Sequence, residues 1–391
     1  MPFHEVIPMP FPRTPVALVL ACFLLGLAPA LAGDGGDQQP PIWVPDLQKI
    51  ERQLRADQGV LASTGDELGI SHHRMVGTLD PTSGTYSATT TEFITAKIEA
   101  KRLHLLLFRD FAIGEVQVTQ NGRPVAIEWS AAPMPSDLLI DAFLEKFPGL
   151  ELPPPLTTES LRSEGLNLQI LTITLPRFAR KGEAFEVTTR FAGPYGDLDM
   201  EPFTDEAIFF NGPVFWFPDV FGPISTFELD LTLPADWNAF SQGKFLGEST
   251  SGTMRTVRYK AEVPQGQIVL IAGPYEVERE TRNGLEYASF LFGETAEKTR
   301  DSGWLDKAAG YIAFFAERVG PYPFESFAVV ESRADVGQGY PSFTLLGGHV
   351  IGAHFLDPHT LGHEILHSWF GNYVVWSGEG GNWTEGITYY L

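Results

Sequence analysis

Hydrophobic and polar residues alternate along most of the chain between about residue 70 and residue 292. In "TFELDLTL" the apolar residues Phe227, Leu229, Leu231 and Leu233 take every second position, as in a β-strand with one buried face. Further strand-like runs are "RLHLLLF", "NLQILTITL", "FEVTTRF", "MRTVRYKA" and "QIVLIAG". Turns between strands are predicted at Asn121-Gly122, Gly182 and Asn283-Gly284. The pattern predicts a β-rich domain over residues 70–292, built as a sandwich or a saddle-like sheet.

The hydrophobic period lengthens after about residue 295. Trp304, Ala308, Tyr311 and Phe315 lie three or four residues apart, which predicts an amphipathic helix that ends before Gly320-Pro321. A strand in "FESFAVVES" and the Gly-rich "DVGQGYPSFTLLGGHVIG" follow. Two earlier helices are predicted over residues 46–57 and 136–147. The fold class is therefore α+β and multidomain, with a second domain over residues 293–391.

The first 32 residues have the pattern of an export signal. Arg13 precedes the apolar run "VALVLACFLLGLAPALA", which ends in small residues and is too short to favour a membrane span. A retained N-terminal anchor and lipid attachment at Cys22 are the alternatives. Because Cys22 is the sole cysteine, the mature chain has no disulfide. We expect a periplasmic or extracellular protein in which residues 33–69 form a mobile lead-in with a short helix.

The net charge excludes some partners. With 49 acidic and 27 basic residues, the chain carries a formal charge of -22, which repels phosphate backbones and anionic lipids. Neither nucleic acid nor a stable membrane span is expected for the mature protein.

The stretch "HEILH" carries the candidate chemistry. His363 and His367 are four residues apart, so on a helix their imidazoles project from one face and can bind one ion. Glu364 lies beside the first histidine, where it can act as general base on a metal-activated water. Asp357-Pro358 supplies a cap and first-turn pair for this helix.

A third ligand is predicted on the next helix. The glycines of "GNYVVWSGEGGN" permit a chain reversal, and "WTEGITYY" restarts as a helix with Glu385 in its first turn. Two imidazoles and a carboxylate, with no thiolate, favour one catalytic Zn²⁺.

Other residues near the motif receive structural interpretations. His359 also lies four residues before His363, but that pair lacks a glutamate base and occupies the first helical turn. Trp369 and Phe370 are predicted core residues behind the metal helix. The glycosylation sequence at Asn382 is discounted, because a glycan there would block the site. Four further histidines are interpreted as structural or solvated: His72, His73, His349 and His354.

"HEILHSWFGN" followed by "NWTEG" resembles the M1 family of zinc metallopeptidases, the gluzincins that include alanyl aminopeptidase and leukotriene A4 hydrolase. The resemblance is dense over about residues 300–391. It implies a β-rich N-terminal domain followed by the first part of a thermolysin-like peptidase domain. It also implies that His363, His367 and Glu385 are the zinc ligands and that Glu364 is the general base, acting on peptide or protein substrates.

The chain departs from the family pattern in two places. Seventeen residues separate His367 from Glu385, one fewer than is usual in the family, and a Gly-rich turn absorbs that difference. The Gly-x-Met-Glu-Asn loop, whose glutamate binds the substrate α-amine, corresponds to "QGYPSFTLL", with Pro341 at the glutamate position. Proline offers no charge to an ammonium group, so strict aminopeptidase action is not expected.

The family's oxyanion-binding tyrosine has no counterpart downstream of Glu385. Tyr389 and Tyr390 lie on the ligand helix itself and are predicted to be packing residues. We therefore expect that residues 1–391 are part of a longer protein and have little activity alone. The alternative function is a non-catalytic, β-rich binding protein with a vestigial zinc site.

Overall fold

The computed structural model describes residues 67–134, 168–196, 207–211, 214–220, 224–333, 337–354, 358–374 and 383–390. The predicted signal over residues 1–32, most of the lead-in over residues 33–69 and the helices predicted over residues 46–57 and 136–147 lie outside these ranges. In the described part of the chain, no helix is both long and apolar enough to cross a bilayer.

Fourteen strands of the described chain precede residue 274. Their bounds are β1 Leu68–Asp80, β2 Thr85–Ala96, β3 Ala100–Phe108, β4 Ala112–Gln120, β5 Arg123–Pro124, β6 Glu128–Pro133, β7 Leu168–Ala179, β8 Ala184–Pro194, β9 Ile208–Phe210, β10 Ser225–Pro234, β11 Asn238–Phe240, β12 Lys244–Ser251, β13 Met254–Gln265 and β14 Leu270–Gly273. Eight of them form one sheet in the order β12-β13-β10-β1-β2-β8-β4-β5, and two three-stranded sheets have the orders β3-β7-β6 and β11-β14-β9. The predicted β-rich fold is confirmed.

The alternation seen in the sequence corresponds to one buried sheet face. Phe227, Leu229, Leu231 and Leu233 of β10 are all fully buried. The residues between them are only partly buried, since successive side chains of a strand point to opposite faces. The predicted turn residues have positive φ angles, as tight turns between antiparallel strands require: Asn121, Gly122, Gly182, Asn283 and Gly284.

A second large sheet carries the later part of the chain. Its strands are β15 Glu276–Arg282, β16 Leu285–Leu291, β17 Ser326–Ser332, β18 Gly337–Tyr340 and β19 Phe343–Gly347. The order is β15-β16-β17-β19-β18, with β17 parallel to both of its neighbours. Since β16 pairs with β17, this sheet extends across residue 293, the predicted domain boundary. Within the Gly-rich stretch, β18 and β19 pair as an antiparallel hairpin.

The helices of the described chain lie between β16 and β17 and after β19. They are α1 Gly293–Thr299, α2 Trp304–Arg318, α3 Gly348–His354, α4 His363–Leu366, which a π-helical segment Pro358–Gly362 precedes, and α5 Trp383–Tyr390. Trp304, Ala308 and Phe315 of α2 are buried, as their spacing predicts. They share one apolar cluster with Ile365 and Leu366 of α4, so the core holds α4 against the sheet.

A buried polar cluster lies inside the eight-stranded sheet's core. His73 of β1 is directly opposite Glu92 of β2, and its Nε2 is 3.8 Å from Oδ1 of Asp219. Burial lowers the pKa of His73 to about 3, raises the pKa of Asp219 to about 8 and raises the pKa of Glu92. His73 and Asp219 are therefore neutral near pH 7, and burial favours the neutral form of Glu92 as well, which disfavours an unpaired charge in the core.

The protonated Asp219 makes stability depend on pH. Its folded pKa lies above the unfolded value, so its stabilising contribution is complete below about pH 4 and is lost as the pH rises through about 8. Asp219→Asn stays neutral throughout. The wild type loses stability between pH 5 and pH 8 and the variant does not. The free energy of unfolding of the variant, relative to the wild type, should therefore rise over this range by on the order of a few kcal/mol. Urea unfolding at both pH values measures this, and parallel pH profiles would contradict it.

Candidate metal centre

The helix α4 presents its two histidines on the side away from the core. Leu361, Ile365 and Leu366 are completely buried in the cluster that includes α2. The i, i+4 spacing then places His363 and His367 together on the opposite side, with their ring centroids 4.7 Å apart. The apolar pattern of the helix therefore fixes the direction in which both imidazoles point.

Three donor groups converge at this position, as the sequence predicted. The Nε2 atoms of His363 and His367 are 3.1 Å apart. The carboxylate of Glu385 on α5 places Oε2 3.4 Å from Nε2 of His363 and Oε1 3.3 Å from Nε2 of His367. One ligand atom from each residue lies within 4.8 Å of the other two.

These separations fit a tetrahedral zinc ion. With metal–ligand distances of about 2.0–2.1 Å, two tetrahedral ligands lie about 3.3–3.4 Å from each other. A His₂Glu donor set with one open position is also the composition of catalytic zinc sites. The geometry of the three residues therefore suits the ion that their chemistry predicts.

The orientation of His367 is set by a carbonyl group. Its Nδ1 lies 3.1 Å from the backbone oxygen of Phe370. Because a carbonyl oxygen only accepts hydrogen bonds, Nδ1 carries the proton and Nε2 offers its lone pair to the site. For His363, Nδ1 is buried with no hydrogen-bond partner among the described residues. The ring of Tyr389 contacts the His363 ring instead, at a centroid distance of 4.6 Å.

The carboxylates of the site have opposite electrostatic environments. The neighbouring imidazoles of His363 and His367 hold the pKa of Glu385 well below its usual range, so Glu385 is ionised. Burial raises the pKa of Glu364, while the two histidines and the backbone N–H of Gly339 favour its ionised form. Glu364 is thus a buried carboxyl group whose affinity for a proton exceeds that of a solvated glutamate.

The strand β18 lies against α4, and the residue nearest to the site is Gly339. A Cβ atom at Gly339 would lie 2.7 Å from Cβ of His367 and 2.9 Å from the backbone oxygen of Glu364. Pro341, which the sequence interpretation placed at the substrate-binding position, begins the turn between β18 and β19 and is buried. The residue of this hairpin that approaches α4 most closely by these distances is therefore Gly339, and the correspondence of Pro341 to the family's glutamate stays a prediction.

The other residues singled out near the motif have mixed outcomes. Trp369 is a core residue as predicted, packed on Phe315 and Tyr322. His349 is exposed, which confirms its solvated role. Tyr390 is 88% exposed, so the packing predicted for it is not seen in the described part of the chain.

Some of the predicted residues lie outside the part of the chain that the structure describes. These are residues 375–382, which include the discounted sequon at Asn382, and the side chains of His354 and His359. Within the part of the reversing loop that is described, Gly371 has a φ of 108°, which confirms the predicted role of glycine in turning the chain. Sequence reasoning missed Gly339 and Asn372, since their contacts are made by segments distant in the chain.

The described residues comprise a β-rich part and a mixed part in which two histidines and a glutamate lie together. No protein-family model and no curated protein matches the sequence. Solved structures match over 79% of this chain. They include the M1 zinc metallopeptidase from Deinococcus radiodurans (TM-score 0.56, 20% identity), a point mutant of it (0.57, 19%) and the mutant bound to a Tyr-Ser-Ala substrate (0.56, 20%).

The matches cover 65%, 66% and 66% of those three chains respectively, which is slightly less than two thirds of their length. This chain therefore has the fold of M1 zinc metallopeptidases over the matched region. The expectation of a β-rich domain followed by peptidase-like structure is confirmed at the level of the fold.

Proposed function

We propose that this protein hydrolyses peptide bonds with one zinc ion held by His363, His367 and Glu385, and with Glu364 as the general base. The observation that carries the proposal is that the Nε2 atoms of His363 and His367 and the carboxylate oxygens of Glu385 lie 3.1–3.4 Å from one another. The buried carboxyl group of Glu364 follows directly after His363 on the same helix. A metal-binding site without catalysis needs the three ligands but has no use for Glu364 at that position.

Each residue has a defined role in this reaction. Zinc, when bound, would lower the pKa of water and polarise the scissile carbonyl. The carboxylate of Glu364 accepts the proton of the attacking water and then donates it to the leaving amine nitrogen. The Phe370 carbonyl keeps the lone pair of His367 directed at the site, and the core contacts of α4 keep both histidines in place.

The composition of β18 bears on the substrate. Its sequence Gly-Gln-Gly-Tyr contains no acidic side chain, and Gly339 leaves no room for one next to α4. No carboxylate from this strand is offered to a substrate α-amine. We therefore propose that the enzyme does not require a free N-terminus, and that it acts on peptides or proteins rather than strictly as an aminopeptidase.

Zinc removal combined with paired substrates tests this function. The full-length gene product should hold one zinc per chain, lose hydrolysis after chelation and regain it when zinc is returned. It should cleave free and N-acetylated forms of the same peptide with kcat/KM values within about tenfold, a difference of about 1.4 kcal/mol in transition-state binding.

Two results would count against it. If the zinc-loaded protein cleaves no member of a broad peptide library, the vestigial binding-protein alternative replaces the enzyme. If acetylation abolishes cleavage, the enzyme is an aminopeptidase, and a group outside β18 binds the amine.

A further inference from the structure

The contact between β18 and α4 is unusually close for a strand and a helix. A Cβ atom at Gly339 would meet His367 and Glu364 at distances below 3.0 Å, and one at Gly337 would lie 3.4 Å from Oε1 of Glu364. β18 is the last strand in the sheet order, and the backbone of its Gly339 contacts Glu364 and Asn372. The backbone of an edge strand thus lies directly on the general base.

Both backbone polar groups of Gly339 are engaged at this edge. Its N–H donates to the Glu364 carboxylate. Its carbonyl oxygen accepts a hydrogen bond of 3.1 Å from Nδ2 of Asn372. An N–H bonded to a carboxylate fixes the rotation of that carboxylate and leaves its other lone pairs available to accept a proton.

Asn372 connects the strand with the metal helix. The same Nδ2 that donates to Gly339 also donates to the backbone oxygen of His367, at 3.0 Å, and the backbone N–H of Asn372 donates to that oxygen as well, at 3.3 Å. One side-chain amide therefore joins a carbonyl of β18 to the carbonyl of a metal ligand. Without these two side-chain hydrogen bonds, the Gly339 carbonyl would lose the Asn372 donor, and the His367 carbonyl would keep only the Asn372 backbone N–H.

We propose that Asn372 is a positioning residue for Glu364: by joining the carbonyls of Gly339 and His367, it holds β18 at the distance where the Gly339 N–H orients the general base. The inference rests on the proposed function, since it assigns Glu364 a reaction to perform. The side chain of Asn372 hydrogen-bonds the backbone carbonyls of Gly339 and His367, so its effect on Glu364 passes through these two backbone groups.

The test compares Asn372→Asp with the wild type in the full-length, zinc-loaded protein. Aspartate has the same shape but cannot donate to the two carbonyls. We expect kcat for peptide hydrolysis to fall by about 10- to 100-fold, because a small misplacement of a catalytic group is sufficient for such a loss. KM should stay within about twofold and zinc content at one per chain, since neither substrate binding nor the ligands are altered.

Two further variants sharpen the test. Gly339→Ala forces β18 away from α4 and should reproduce the loss in kcat with KM and zinc content unchanged. Asn238→Ala is the matched control, because the Asn238 side chain also donates to a backbone oxygen, that of Tyr275, but in the β-rich domain. Its kcat should equal that of the wild type.

A readout that does not depend on activity separates this inference from the proposed function. Amide hydrogen exchange over residues 337–346 should accelerate in Asn372→Asp and remain unchanged in Asn238→Ala. If the wild type cleaves peptides and Asn372→Asp is equally fast, the inference fails and the function stands. Unchanged exchange in Asn372→Asp also overturns it, even if no peptide substrate is found. A rise in KM or a loss of zinc would show a role in binding rather than in positioning the base.

Discussion

Replacing Glu364 with glutamine is expected to lower kcat for peptide hydrolysis by about 10²- to 10⁴-fold while zinc remains bound. Glutamine fills the same volume and can accept the hydrogen bond from Gly339, but it cannot take up a proton at neutral pH. The ligands His363, His367 and Glu385 are unchanged. Steady-state kinetics combined with metal analysis of the full-length protein measures both quantities.

The control for this variant is a second buried glutamate. Glu331 on β17 accepts hydrogen bonds from the Phe292 N–H and from the Thr295 hydroxyl, and burial raises its pKa as it does for Glu364. Glu331→Gln should therefore retain wild-type kcat, even if stability changes. If Glu364→Gln keeps wild-type kcat, Glu364 is not the base; if it loses zinc, the carboxylate supports the metal ligands instead.

Gly243→Ala is expected to destabilise the protein by about 3–5 kcal/mol. Gly243 has a φ of 84°, and a Cβ there would lie 2.3 Å from the backbone oxygen of Lys260. Its N–H donates to the Ser342 hydroxyl and its carbonyl accepts from the Ser326 hydroxyl. The added methyl group therefore disturbs β13 and the contacts that join the β-rich part to the second sheet. Urea unfolding measures the change.

Gly252→Ala separates the clash from the backbone strain. Gly252 also has a positive φ, of 61°, but no atom lies within 4 Å of the position its Cβ would take. The strain of a left-handed residue alone costs about 1–2 kcal/mol. Equal destabilisation by the two variants would show that the close approach at Gly243 contributes nothing.

Local periodicity predicted much of the fold. The alternation in β10 and the three-to-four spacing in α2 report burial of one face, and the structure buries those residues. Two features were missed for a common reason. The strands β18 and β19 are short, and the pairing of β16 with β17 joins segments separated by the helices α1 and α2, so neither feature leaves a periodic signal.

Some features of the candidate site could likewise be predicted from the sequence, and others could not. The spacing of His363, Glu364 and His367 is a property of one helical turn, so the sequence placed all three, and it placed Glu385 by the helix start that follows the glycine-rich reversal. The convergence of Glu385 on both imidazoles to within 3.4 Å is a tertiary result.

The sequence by itself therefore determined the strand-rich organisation, the residues of the candidate metal site and their order along the chain, because these follow from hydrophobic period and side-chain chemistry. The tertiary structure alone decided that Gly339, and not Pro341, lies next to Glu364 and that Asn372 hydrogen-bonds both β18 and the backbone of His367. The physical reason is that such contacts depend on how closely two backbones approach. That distance is set by packing between segments that are far apart in the chain.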